Sequence, residues 1–288
     1  MKPIHILVTM NETYALPFQV MVTSLVQNNP GQRFELWLLH SSISQARLEK
    51  LRIFCHLLGT ALHDIAVEEE RLRSAPVLRY YPQEMYYRLL AAQLLPRHLE
   101  RILYLDPDIL VINPLRPLWE TDLQGCLFAA ASHTGKTDFS NDINRLRLNV
   151  EHDYYNTGVL LMDLAQARQT VHPEEMFQFV QERGQSLILP DQDVFNSLYG
   201  DRVLPLDDAL WNYDARKYSS YLLRSGGEYT WPWVLEHTAI LHFCGSNKPW
   251  KPNCRLQLAL LYRHYMQIQA RVLSGAALLS PVEPTPAP

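Results

Sequence analysis

Residues 101 to 115 read RILYLDPDILVINPL, with Asp106 and Asp108 two apart behind the apolar run Ile102, Leu103, Tyr104 and Leu105. Side chains two apart on an extended segment point to the same side, so both carboxylates can converge on one cation. Pro107 between them cannot donate to a central ladder, which marks a strand end, where α/β sheets bind ligands. Two hard oxygen ligands with other coordination positions open suit Mg²⁺ or Mn²⁺ held jointly with a substrate phosphate. By itself such a triplet reads more readily as a solvated turn. A second stretch, AILHFCGSNKPW at 239 to 250, ends an apolar run on His242 and continues to Gly245 and Lys248. Imidazole added to two carboxylates makes a mixed nitrogen and oxygen site suited to Mn²⁺. Gly245 lets backbone approach a phosphate, and Lys248 supplies a point charge. A histidine after a strand is also an ordinary core residue, and a lysine before proline an ordinary surface one.

Apolar runs at Ile4 to Val8, Phe34 to Leu39, Ala61 to Val67, Ile102 to Leu105 and Leu127 to Ala131 predict strands. Most lack polar alternation, as in a sheet covered on both faces. Pro17 opens a predicted helix carrying Val20, Met21 and Leu25 on one stripe; Pro82 opens another through Arg88 to Leu95, stopped at Pro96. The alternation of strands and helices argues for an α/β fold with a mostly parallel sheet flanked by helices. No internal repeat or Gly/Ser linker divides the body, so the expectation is one domain over residues 1–273 and a flexible Ala- and Pro-rich tail over 274–288.

The chain has 288 residues, 47% of them hydrophobic, and a formal net charge of -4. That balance supplies no basic field of the kind nucleic-acid binding uses. Cys55, Cys126, Cys244 and Cys254 show no CxxC spacing, which points away from a zinc ribbon or a disulfide framework and toward a reducing cytoplasm. The first apolar run, Ile6 to Met10, stops at Asn11 and Glu12, too short for a signal peptide, and no later run approaches the ~20 residues that cross a bilayer. Lys248, Lys251, Arg255, Arg263 and Arg271, with Trp250, Tyr262 and Tyr265, form a basic, acid-free segment. It raises the expectation of a weak contact with the inner face of an anionic membrane, against the competing reading of a solvated helix face.

Four blocks in order, ILYLDPDILV, YYNTGVLLMDL at 154 to 164, PDQDVFN at 190 to 196 and LHFCGSNKPW at 241 to 250, resemble glycosyltransferase family 8. The likeness runs from Ile4 to about Tyr265. It implies a GT-A fold, a single Rossmann-like nucleotide-sugar-binding domain, and retaining transfer of glucose or galactose from UDP-glucose or UDP-galactose to a saccharide, glycolipid or protein acceptor. On this resemblance Asp106, Asp108 and His242 hold Mn²⁺ or Mg²⁺, and Gly245 and Lys248 hold the diphosphate. Arg88 would reach the donor sugar or phosphates from its helix, while Thr9, Asn11, Thr13 and Tyr14 surround uracil and ribose. Asp191 and Gln192 would contact the sugar where the acceptor reacts, with Asn156 shaping that pocket and Asp193 serving as a helix-capping acid. Asn11 stands in VTMNETY where many relatives present an acid to uracil; an amide oxygen can still accept from the ring N–H.

Such transfer builds negative charge on the departing diphosphate oxygen. A Lewis acid and Lys248 would stabilise it without a protonating carboxylic acid, unlike a glycosidase. The polar segment SHTGKTDFSNDINRLRLNVEHD at 132 to 153 reads as a specificity loop, with His133 where some relatives place an acidic acceptor contact. The same carboxylates and lysine would also serve a metal-dependent nucleotidyltransferase or diphosphatase, or a nucleotide-sugar-binding protein without turnover.

Overall fold

The computed structural model describes residues 2–67, 84–132 and 139–279. Among them run β1 (Ile4–Thr9), β2 (Phe34–His40), β3 (Ala61–Ala66), β4 (Arg101–Leu105), β5 (Ile109–Val111), β6 (Phe128–Ser132), β7 (Tyr155–Asp163), β8 (Val203–Leu206), β9 (Tyr213–Asp214) and β10 (Ile240–His242). A seven-stranded sheet has the order β3-β2-β1-β4-β7-β6-β8. Strand β7 lies antiparallel to both β4 and β6, and the other pairs are parallel. The five predicted strands all form and the sheet is mostly parallel.

Alternate residues of one strand enter different cores: Leu7 packs with Trp37, Ile102 and Tyr104, while Ile6 and Val8 pack with Leu36, Leu103 and Leu105. Both faces are therefore buried, which is why these runs carry no polar period. Each fully buried aliphatic side chain contributes about 1.5–3 kcal/mol over its exposed state.

The first helix spans Ala15–Gln27. Pro17 sits in its first turn, where a missing N–H interrupts no helical bond. The predicted helix through Arg88 is corrected: two single turns, Glu84–Tyr87 and Ala91–Leu94, flank a turn containing Arg88. Pro82 lies outside the described residues. The last helix, Ala259–Leu279, runs past the expected tail boundary. Ala276, Ala277, Leu278 and Leu279 are strong helix formers, and the first proline after them is Pro281. Residues 280–288 lie outside the described residues. Among the described residues no helix is long and apolar enough to cross a membrane.

After β4 the chain leaves the large sheet at Pro107 and enters a three-stranded one ordered β5-β10-β9. There β10 pairs antiparallel with β5 and parallel with β9. This small sheet draws the last third of the chain onto the carboxyl end of β4.

Candidate active site

Asp106 is placed by an extension of the β4–β7 ladder, its backbone N–H donating to the Gly158 carbonyl at 2.8 Å. Two residues on, the Asp108 carbonyl accepts from the Phe243 N–H at 3.1 Å, and Ile109 is in register with His242. The imidazole Nε2 of His242 consequently lies 3.6 Å from Asp106 Oδ2 and 3.4 Å from Asp108 Oδ1. One ligand atom from each of these residues falls within 4.8 Å of the other two. His242 Nδ1 meets the Asn212 Oδ1 at 2.9 Å, the kind of outer partner that orients ligating histidines. Two carboxylates and an oriented imidazole fit a hard or borderline divalent cation.

The Lys248 ammonium bonds to Asp108 and, at 3.1 Å, to the Phe243 carbonyl. Burial alone would disfavour the Asp108 carboxylate, but His242 and Lys248 outweigh it and hold it below the ordinary carboxylate range. Burial likewise opposes charge on His242, yet Cys244 and Asp108 raise that imidazole well above its ordinary value. A ligating imidazole is neutral, so a cation bound here would displace that proton.

Arg88 joins this cluster to Asp191. Its guanidinium lies 3.0 Å from Asp106 Oδ1 and 3.5 Å from Asp191 Oδ2, donates to the Thr157 carbonyl at 3.0 Å, and stacks 4.6 Å over the Tyr104 ring. The Tyr104 hydroxyl donates to Asp106 at 2.6 Å and neighbours the Thr9 hydroxyl at 3.1 Å. Asp191 and Gln192 open the helix Pro190–Tyr199. Asn196 docks that helix on β7, accepting from the Tyr155 N–H at 2.7 Å and donating to its carbonyl at 2.8 Å. Thr157 then donates to Asp191 at 3.1 Å, and burial raises the Asp191 carboxyl above its ordinary value despite Arg88. Asp193 is fully buried, paired twice with Arg147 at 2.6 and 2.9 Å and bonded by the Tyr154 hydroxyl at 2.6 Å. It ties the helix Phe139–Leu148 to the site rather than facing the cavity.

Asp106, Asp108, His242, Lys248, Arg88, Asp191 and Gln192 line a cavity of about 640 Å³. Every residue expected at the donor lines it except Thr13. Thr13 is exposed, and both its N–H and its hydroxyl donate to Asn11 Oδ1, which caps the turn Glu12–Tyr14. The Asn11 oxygen is thereby engaged, so the group left for a base is the amide NH₂, a donor where the sequence suggested an acceptor. Glu12 turns to Arg47 at 3.2 Å. Gly245 has φ +78°, a conformation that favours glycine; a Cβ there would stand 2.7 Å from Arg216 Nη1, the end of a side chain that can give way.

Several contributors were given no role by the sequence reading. Tyr104 was visible only as a hydroxyl in an apolar run, Gly158 only as a glycine inside a strand, and Asn212 carried no motif at all. His133 lies outside the described residues. In the basic segment Lys251, Arg255, Arg263 and Arg271 are exposed, while Lys248 is turned into the site.

The profile of glycosyl transferase family 8 matches residues 5–254. General stress protein A of Bacillus subtilis is 26% identical over 91% of this chain and 92% of its own length. Lipopolysaccharide 1,2-glucosyltransferase of Escherichia coli is 24% identical over 83% and 71%. Among solved structures, galactosyltransferase LgtC in complex with donor and acceptor sugar analogs superposes with a TM-score of 0.76 at 22% identity, covering 92% of this chain and 96% of that one. Glycosyltransferase GlyE of Streptococcus pneumoniae gives 0.69 at 19% identity, over 99% and 66%. The fold is GT-A.

Proposed function

The chain belongs to glycosyltransferase family 8, and on that premise we propose a metal-dependent, retaining hexosyltransferase that moves glucose or galactose from a UDP-sugar to a saccharide, glycolipid or protein acceptor. The observation that carries this reading is the convergence of Asp106, Asp108 and His242 in a cavity that Asp191 and Gln192 also line. Asp106, Asp108 and His242 would hold Mn²⁺ or Mg²⁺, which when bound supplies Lewis-acid stabilisation of the departing diphosphate. Lys248 adds a fixed positive charge beside that oxygen, and Gly245 admits the phosphates to the backbone. Arg88 keeps Asp106 and Asp191 in place, since it bonds to both. Asp191 and Gln192 orient the sugar. Burial of Asp108, Asp191 and His242 strengthens the interactions they make by limiting their contact with water.

A screen of nucleotide sugars with Mn²⁺, reading UDP release with and without mixed glycan acceptors, tests the proposal. Free UMP or a new nucleotide linkage would favour a diphosphatase or nucleotidyltransferase. Binding with no UDP release across the acceptor panel would favour a binding protein.

Asp191→Asn and Gln192→Ala should leave most UDP affinity intact while lowering kcat, because these side chains act at the sugar. Wild-type turnover in both variants would remove them from the reaction.

On this reading the catalytic domain spans residues 1–273, followed by a tail over 274–288, and it works in the cytoplasm in weak contact with the inner face of a membrane. Lys251, Arg255, Arg263 and Arg271 would add up to about 1 kcal/mol each near an anionic bilayer. Vesicle sedimentation should show weak, salt-sensitive binding lost when all four become Gln; binding that persists at high salt would point to apolar insertion instead.

A further inference from the structure

Asn212 is fully buried and follows the short helix Asp208–Trp211, just ahead of β9. Its side chain lies between His242 and Asn156, with Oδ1 2.9 Å from His242 Nδ1 and Nδ2 2.9 Å from Asn156 Oδ1. A side-chain amide can be turned either way, but a backbone N–H can only donate. The Gly158 N–H faces Asn156 at 3.0 Å, so the atom it meets is the Asn156 oxygen. Asn212 must approach that same oxygen with its NH₂, and it therefore turns its own oxygen to His242. An acceptor at Nδ1 calls for a hydrogen there. In the neutral imidazole that binds a metal, the lone pair then belongs to Nε2, the nitrogen facing Asp106 and Asp108. At the other end, the Asn156 NH₂ is directed at Gln192 Oε1, 3.1 Å away, so that the Gln192 oxygen is the atom facing Asn156.

We propose that Asn212 is a positioning residue: it selects the His242 tautomer that offers Nε2 to the metal and, through Asn156, couples that selection to the orientation of the Gln192 amide. The inference rests on the metal-site reading of Asp106, Asp108 and His242.

Two substitutions separate the halves of the amide. Asn212→Asp keeps the shape and an acceptor at Nδ1, but sets a second oxygen against Asn156 Oδ1; Asn156 then either keeps two oxygens opposed or sets its NH₂ against the Gly158 N–H, and both outcomes disturb its contact with Gln192. Asn212→Leu removes both halves. With UDP present, Mn²⁺ titration followed by electron paramagnetic resonance should show Asn212→Asp binding like wild type and Asn212→Leu about 10- to 100-fold more weakly. At saturating Mn²⁺, UDP release by Asn212→Asp should still fall, a separation of affinity from kcat that simple loss of packing would not produce. Nitrogen-15 shifts of His242 in the diamagnetic Mg²⁺ complex should place its proton on Nδ1. Wild-type Mn²⁺ affinity in Asn212→Leu, equal loss in both variants, or a proton on Nε2 would overturn the proposal. Failure of the wild-type protein itself to take up Mn²⁺ would overturn the whole metal reading, and a proton on Nε2 in the metal complex would remove His242 from it, whereas the other two outcomes leave that reading standing.

Discussion

Asp108→Asn is expected to weaken Mn²⁺ binding, and UDP binding with it, by more than about 100-fold, since altering even an outer partner of a metal ligand costs 10- to 100-fold. The substitution keeps the side-chain volume and the backbone bond from Phe243, so the junction of the two sheets should survive. It removes one anionic ligand and the charge that neutralises Lys248. His242→Ala should act in the same direction by removing the nitrogen ligand. The sign of the pH dependence follows from His242. Its raised value means that the proton is held through neutral pH, and a cation must displace it. Affinity should therefore climb as pH rises through the neutral range and level off above the raised value. Calorimetry with Mn²⁺ and with chelator checks all of this. Equal UDP affinity in wild type and both variants, with and without metal, would eliminate the site.

Gly158→Ala should be nearly as damaging although it removes no functional group. A Cβ at this position would stand 2.2 Å from His242 Cε1, 2.9 Å from His242 Nδ1 and 2.8 Å from Asp106 Oδ2. Strand β7 is held between β4 and β6, so its backbone cannot retreat. His242 or Asp106 must move instead. Overpacking of this kind costs about 1–3 kcal/mol of stability, and a misplacement near 1 Å at a reacting centre costs about 10²-fold in rate. Urea unfolding should show the modest destabilisation, and kcat/KM for UDP release should fall by about two orders of magnitude. Unchanged turnover and metal affinity in a folded variant would show that the observed placement of His242 is not the one the reaction uses.

Asp106, Asp108, His242 and Lys248 were legible because each is a polar group at the end of an apolar run, where burial demands a reason for it. Four of the five strands were legible from two-sided burial, which erases polar alternation; the edge strand β3 has no buried residue and was legible only as a short, largely apolar run. Arg88 was found, but not the interruption of its helix, because helix formers such as Leu89, Leu90 and Ala91 continue the local pattern and only packing against the sheet breaks it. The Thr13 side chain caps onto Asn11 and does not line the cavity: a threonine two residues after an asparagine is as available to a local cap as to a ligand, and geometry alone chooses.

What the sequence by itself determined is the set of groups that must be compensated by something, namely two carboxylates, an imidazole and an ammonium beside apolar strands, in an order resembling one family. Which of them meet was decided by tertiary structure. The small sheet sets β10 against β5, and the antiparallel entry of β7 supplies the Gly158 carbonyl and N–H that anchor Asp106 and Asn156. Asn212 takes its meaning from these contacts. An amide has no preferred role until a neighbour that can only donate fixes which of its two ends is the oxygen, and no local property of the chain specifies that neighbour.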